Sequence, residues 1–167
     1  MKQLKKLGVL GFITLLSVVM VACGSSGSSD KGKEKESEKT EEKKATDSGE
    51  LGDYSLTIHD GFELAKDYND QDVIVLTYDF TNNSDENQSF MFSISDKVFQ
   101  NGVGLESAIM SADSPELKNR STEIQPGASL TVKVGYVLQD TTSPVSVEAK
   151  ELISLDDNKL TKEFNLQ

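Results

Sequence analysis

The chain has 167 residues, 28 acidic against 17 basic, a formal net charge of −11, 36% hydrophobic content, no Trp, one Cys and one His. One Cys forms no internal disulfide, and one Cys with one His falls short of the four ligands a Cys/His zinc site wants. The acidic balance speaks against nucleic acid as a partner, because phosphate contacts need clustered Lys and Arg.

The first segment reads as an address. Lys2, Lys5 and Lys6 form a cationic start, and Leu7 to Val21 is an apolar run of 15 residues. That run is shorter than the roughly 20 residues of a membrane-spanning helix, which favours an export signal. It ends in Met20-Val21-Ala22-Cys23-Gly24. These residues resemble the lipobox of bacterial lipoproteins, with Met20 where Leu is usual. The resemblance implies a signal peptide over 1–22, cleavage before Cys23, and a diacylglycerol thioether on Cys23. Two acyl chains give stable membrane attachment at roughly 0.8 kcal/mol per buried methylene. The bland alternatives are an ordinary secretory signal with an incidental thiol, and a short uncleaved anchor.

Residues 23–50 hold the lipidated Cys followed by Gly, Ser, Asp, Glu, Lys, Thr and Ala, with nothing large to bury. Such a composition does not offset the entropy of ordering and predicts a disordered linker. A flexible tether of this length spans roughly 30 Å.

From Leu51 to Gln167 the pattern becomes β. Tyr54, Leu56 and Ile58 alternate with polar residues; Ile74, Leu76, Tyr78 and Phe80 repeat the alternation, and Val73 and Val75 on the opposite face predict a central strand. Phe90, Phe92 and Ile94 suggest the next strand. Asn101-Gly102 is the strongest hairpin signal, since a type I′ turn needs positive φ at both positions. Ser107 to Arg120 reads as a loop with one helical turn, capped by Ser114 and begun by Pro115. Leu130, Val132, Val134, Tyr136 and Leu138 form the cleanest stripe; Val145, Val147 and Ala149 follow, and a last strand covers about Leu160 to Leu166. Turns are expected at Asp60-Gly61, Asn69-Asp70, Asn82 to Asp85, Pro126-Gly127, Ser143-Pro144 and Asp156-Asp157-Asn158. Seven or eight short strands in one domain, 51–167, predict an all-β, immunoglobulin-like antiparallel β-sandwich without the Cys…Trp…Cys core of antibody domains.

Three segments carry a family resemblance: Tyr78-Asp79-Phe80-Thr81-Asn82-Asn83-Ser84-Asp85, Phe99-Gln100-Asn101-Gly102, and Ile124-Gln125-Pro126-Gly127 before the strand ending Tyr136-Val137-Leu138. Together they resemble a family of Gram-positive lipoproteins with a C-terminal Ig-like (telokin-like) domain of unknown function. The resemblance implies that fold over roughly Gly52 to Gln167, and a place on the extracellular face of the cell membrane. It transfers no catalytic or binding residue.

The sequence offers few parts for chemistry. His59 lies on the polar side of its strand, no G-x-S-x-G pattern occurs, and no phosphate-cradling Gly-rich loop is present. No catalytic residue and no cofactor are expected. Calcium is the more serious alternative, with Asp67, Asp70 and Asp72 beside Asn69 as weak candidates. They fail an EF-hand template, which would find Gly where Asp72 stands and Glu where Tyr78 stands. Phe80, Phe90, Phe92, Tyr136 and Phe164 are expected in the core. Tyr54, Phe62 and Tyr68 border loops and mark the first place to look for a surface patch.

The reading is therefore a non-enzymatic, membrane-anchored surface lipoprotein whose domain binds a protein or cell-wall partner through loops near Asn69, Asn83, Ser107 to Arg120 and Thr141. The alternatives are a divalent-cation or small-ligand accessory lipoprotein, and a phage- or immunity-type envelope lipoprotein. The leader carries +3, the spacer −2 (six Lys against eight acids) and the domain −12 (eight basic against twenty acidic). Acidity in the domain itself favours a cationic partner by steering.

Overall fold

The structure is a computed structural model that describes residues 46–111, 114–155 and 157–167. The leader, Cys23 and the spacer up to residue 45 lie outside the described residues, as does Asp156 of the last expected turn. The strands are β1 (Ser48–Leu51), β2 (Tyr54–Lys66), β3 (Asp72–Asn82), β4 (Ile94–Gln100), β5 (Val103–Gly104), β6 (Ser129–Val137), β7 (Val145–Glu151) and β8 (Leu160–Phe164). They form two four-stranded antiparallel sheets, β1-β2-β3-β6 and β5-β4-β7-β8, which is the β-sandwich the alternation predicts. Among the described residues no helix is long and apolar enough to cross a membrane.

Inward-facing positions of the two sheets meet in one core, in which Tyr78, Tyr136, Phe80 and Phe90 are the largest fully buried side chains. Each fully buried Leu, Ile or Phe there contributes about 2 kcal/mol. β3 is central, between β2 and β6, and buries Val73 and Val75 on its other face as well. That outer face is covered by the segment after β5. Val137 N donates to Glu106 O and Ala108 N to Gly135 O, so the segment runs along the free edge of β6 before reaching the β2–β3 hairpin, where Tyr68 N donates to Ile109 O. Gly135 permits the crossing: a Cβ there would lie 3.0 Å from both Met110 Cγ and Val73 Cγ1. The segment then forms α2 (Pro115–Lys118), with Ser114 Oγ accepting from Leu117 N, and a 3-10 turn over Asn119–Ser121.

The Asn101-Gly102 hairpin forms as its sequence demands, with φ of 53° and 76°. Four expectations are corrected. Phe90 and Phe92 are not strand residues but belong to a helical turn, α1 (Phe90–Ser93). The turn sends Phe90 and Ser93 inward, and Phe92, expected in the core, points outward at 67% exposed. Phe90 seals this end of the core against Tyr78 and Phe80, with ring centroids 5.2 and 5.9 Å away. Asp60-Gly61 is not a chain reversal; it is a bulge inside β2, where the register jumps from Ile58↔Tyr78 to Phe62↔Leu76. Tyr54 does not border a surface patch, because it is buried and packs on Phe80 at 5.6 Å. Finally, Ser48 to Glu50, assigned by composition to the spacer, pair with β2 as part of β1. Backbone pairing needs no apolar side chain, and that is why composition does not reveal it.

Candidate functional site

On the outer face of the first sheet, Thr57 and His59 of β2 stand beside Thr77, Asp79 and Thr81 of β3 and Ser129, Thr131 and Lys133 of β6. The ring of His59 donates through Nε2 to Asp79 Oδ2 at 2.7 Å, and Thr131 Oγ1 donates to Asp79 Oδ1 at 2.7 Å. Burial pushes the Asp79 carboxyl up, but the hydrogen bonds from Thr131 and His59 outweigh it and hold the group below its ordinary value. His59 is on the polar side as expected, yet its partner is visible only once β2 and β3 are in register. The hydroxyl of this trio is bound to the carboxylate and not to the imidazole, so the arrangement orients a histidine without activating a nucleophile.

The acidic hairpin does not converge. Asp67 Oδ1 accepts from Asn69 N at 2.8 Å and Gln71 N at 2.9 Å, which closes the turn on itself. Asp70 takes a positive φ of 63°, and the Asp72 carboxylate is held by Lys66 Nζ at 3.0 Å. Asp67, Asp70 and Asp72 thus serve the turn and its ion pair. Among the described residues no group of three or more His, Cys, Asp or Glu side chains is placed to hold a metal ion. Most cations of the domain are paired as well: Lys133 with Glu63 at 2.8 Å, Lys159 with Glu148 at 2.7 Å, and Lys162 with Asp60 at 2.6 Å. A shallow groove of about 330 Å³ on the second sheet mixes Lys97, Lys150 and Lys159 with Glu148 and Asp157, so it favours neither sign.

Between the sheets lies a polar set that sequence reasoning missed. The inward stripe of β4 is Ile94, Asp96, Val98 and Gln100, and the Asp96 side chain is 6% exposed. Tyr136 Oη donates to Asp96 Oδ2, the Tyr78 and Tyr136 hydroxyls are 3.4 Å apart, and Arg120 Nη2 meets Asp96 Oδ1 at 3.4 Å. Arg120 Nη1 also donates to Ser107 Oγ at 3.3 Å, which pins both ends of the crossing segment. Burial raises the Asp96 carboxyl above its ordinary 3.8, against the opposing pull of Tyr136 and Arg120. The folded state therefore holds this proton more tightly than the unfolded state, and stability falls as pH rises from 3.8 through the raised value. Asp79 and Asp140, whose carboxyls are lowered, act in the opposite sense and lose stability on acidification. Urea unfolding of wild type and Asp96→Asn across the acid range isolates the Asp96 contribution. The variant should gain on wild type as pH rises through that window and then hold a constant offset; parallel curves would mean that Asp96 does not titrate differently on folding.

One end of the sandwich exposes a group of large apolar side chains. At the last rung of the β4–β7 ladder, Ile94↔Glu151, α1 precedes one strand and the segment Leu152–Leu155 follows the other; Leu152 N donates to Ser93 O at 2.8 Å. Met91, Phe92, Leu152, Ile153 and Leu155 are all exposed, Ile153 at 87%. The sequence held a signal for this in Leu152-Ile153-Ser154-Leu155, an apolar run where a turn and not a strand begins. Of the three loop aromatics singled out above, Tyr68 is exposed at the opposite end and Phe62 is half-buried, edge-on to Phe164 at 5.9 Å.

Residues 28–151 match the family DUF5067, a domain of unknown function. No curated protein matches the chain. Among solved structures, a candidate lipoprotein from Staphylococcus aureus subsp. aureus NCTC 8325 superposes with a TM-score of 0.52 at 12% identity, covering 72% of this chain and 93% of that one. A conserved hypothetical protein from Bacillus anthracis gives 0.47 at 16% identity, with 70% and 93% covered. The yjhA protein from Bacillus subtilis gives 0.45 at 10% identity, with 68% and 93% covered. At these identities the likeness to the first concerns the fold alone.

Proposed function

The chain belongs to the DUF5067 family of domains of unknown function, and on that premise we propose a non-enzymatic surface lipoprotein, anchored by a diacylglycerol on Cys23, whose sandwich binds a protein or envelope partner on the extracellular face. The anchor half rests on Lys2, Lys5 and Lys6, the apolar run to Val21, and the only Cys of the chain placed directly after Ala22. The description of the Staphylococcus aureus protein of the same fold agrees with it. The binding half is carried by one observation, the five large apolar side chains left exposed on two segments joined at the α1 end, since large exposed apolar surface on a folded domain marks contact sites. The histidine–carboxylate pair lacks a bound hydroxyl nucleophile, and the metal candidates are held by their own turn.

The anchor is tested by Cys23→Ala in the host cell. The variant should leave the membrane fraction or accumulate with its leader uncleaved, and it should lose incorporation of labelled palmitate. A variant that stays on the membrane with residues 1–22 removed would sink the anchor.

A further inference from the structure

We infer that α1 and the Arg120 turn enclose a binding site for one internal water molecule, held by Ser89, Ser93 and Arg120. Among the described residues, Ser89 Oγ, Ser93 Oγ and Arg120 Nε are buried with no hydrogen-bond partner, and each serine is 2% exposed. The three atoms come from elements that touch. α1 packs on the 3-10 turn over Asn119–Ser121. The chain just before α1 and the chain just after that turn are bridged, with Gln88 N donating to Ile124 O at 3.0 Å and Ile124 N to Gln88 O at 2.8 Å. Ser89 and Ser93 are four residues apart, so their side chains lie on one side of the helical turn. Tyr78 packs on Phe90 at 5.2 Å, and its hydroxyl continues through Tyr136 to Asp96, which the Arg120 guanidinium meets.

The local acceptors that could satisfy these atoms are already in use. A helical serine commonly bonds back to the carbonyl four residues earlier. Here Ser89 O already accepts from both Phe92 N and Ser93 N at 3.1 Å, and Ser93 O accepts from Leu152 N at 2.8 Å. Ser89, at the N-cap, makes no side-chain cap bond. Arg120 commits Nη1 to Ser107 and Nη2 to Asp96, which leaves the Nε–H over. Two hydroxyls and a guanidinium N–H left bare between packed elements would lose their hydration with nothing in return. One water answers all three. Its oxygen accepts from Nε–H and from one serine, and it donates to the other serine, which makes the three bonds typical of internal water. The charges select a neutral ligand: a cation would face the guanidinium, and an anion would compete with Asp96, which already neutralises it. The water carries the polar contact between α1 and the turn, so that Arg120 joins α1, β4 and the crossing segment in one network. The site is present whatever the domain binds.

The test makes Ser89→Ala, Ser93→Ala and the double variant in the chain from Cys23 to Gln167. Each is followed by thermal melts and by oxygen-17 relaxation dispersion, which detects water molecules held inside a protein. Alanine in place of an unpartnered buried hydroxyl is neutral or stabilising, whereas alanine in place of a hydroxyl bonded to internal water is destabilising, so the sign decides. Each single variant should lower Tm by about 4 °C. The double variant should lower it by less than the sum, because the first change already weakens the shared water. It should also show one long-lived water fewer than wild type. An unchanged or raised Tm in either single variant overturns the site, and so does strict additivity. A fall in Tm with no loss of long-lived water would mean that the hydroxyls bond protein directly, which overturns it too. A wild-type Tm that rises with chloride, while that of the double variant does not, would identify a bound anion and overturn the neutral ligand.

Discussion

Arg120→Met is expected to destabilise the domain by about 3 kcal/mol, lowering Tm by roughly 12 °C. The guanidinium is the only cation facing the Asp96 carboxylate among the contacts described, and removing it leaves that carboxylate between the sheets with the Tyr136 hydroxyl and its own backbone amide. Because Arg120 keeps 30% of its own surface exposed, the loss lies at the lower end of what a buried charge suffers when its partner is deleted. The same variant frees Ser107 and loosens the crossing segment, so the strand-edge bonds of Ala108 and Val137 should exchange their amide protons faster. Asp96→Leu combined with Arg120→Met should recover most of the stability, since an apolar replacement of a buried ion pair is often neutral. Tyr136 would then still have the Tyr78 hydroxyl within reach. Chemical denaturation of the two single variants and the double variant measures this cycle; an Arg120→Met protein as stable as wild type would show that the pair contributes nothing.

The second large effect is expected at Gln100, a fully buried amide that uses every bonding position it has. Its Nε2 donates to Asp140 O at 2.9 Å and Ser143 O at 3.0 Å, while Oε1 accepts from Gln139 N at 2.8 Å and Asp140 N at 3.2 Å. One side chain thereby holds Gln139, Asp140 and Ser143 of the connection between β6 and β7, with Asn101 Nδ2 a second tie to Asp140 Oδ2 at 3.1 Å. Gln100→Leu keeps the volume and strands two carbonyls and two amides, at a cost of about 3 kcal/mol. The Asp140 carboxylate continues to cap Thr142 and Ser143, so the turn itself survives and detaches as a unit. Hydrogen exchange should accelerate at Gln139 and Asp140 well beyond the global change. Equal acceleration throughout the domain would mean that Gln100 supports the core and not the connection.

Much of the sandwich is legible without coordinates because a half-buried strand writes its two faces into alternate residues. β6 from Ser129 to Val137 and the Asn101-Gly102 reversal are examples. The failures have specific causes. Phe90-Met91-Phe92-Ser93 satisfies both a period of two and one helical turn, and only the position of Tyr78 and Phe80 beneath Phe90 decides between them. Asp60-Gly61 has turn chemistry that a bulge can use equally well. Asp96 and Arg120 become partners through strand register and a crossing loop, neither of which is a local property. The exposed apolar end is half legible: Leu152-Ile153-Ser154-Leu155 is apolar in the sequence, but hydrophobicity does not say whether anything covers it.

The path of the chain into the domain also governs how the domain bears load. β1 runs antiparallel to β2 toward the Leu51–Asp53 turn, which belongs to the same end as the exposed apolar group. Behind it, Asp47 O accepts from Ile58 N of the first sheet and Thr46 O from Thr161 N of the second, and Lys162 ties Asp47 to Asp60. A pull on the N-terminal side of Thr46, opposed by a load at the other end of the sandwich, acts along the axis of β1 and across hydrogen bonds perpendicular to it. The rungs from Ser48↔Thr57 to Leu51↔Tyr54 are then sheared together instead of being unzipped one after another. A short strand that places Leu51 alone in the core is thus the joint through which a pull on the N-terminal side of Thr46 enters the first sheet.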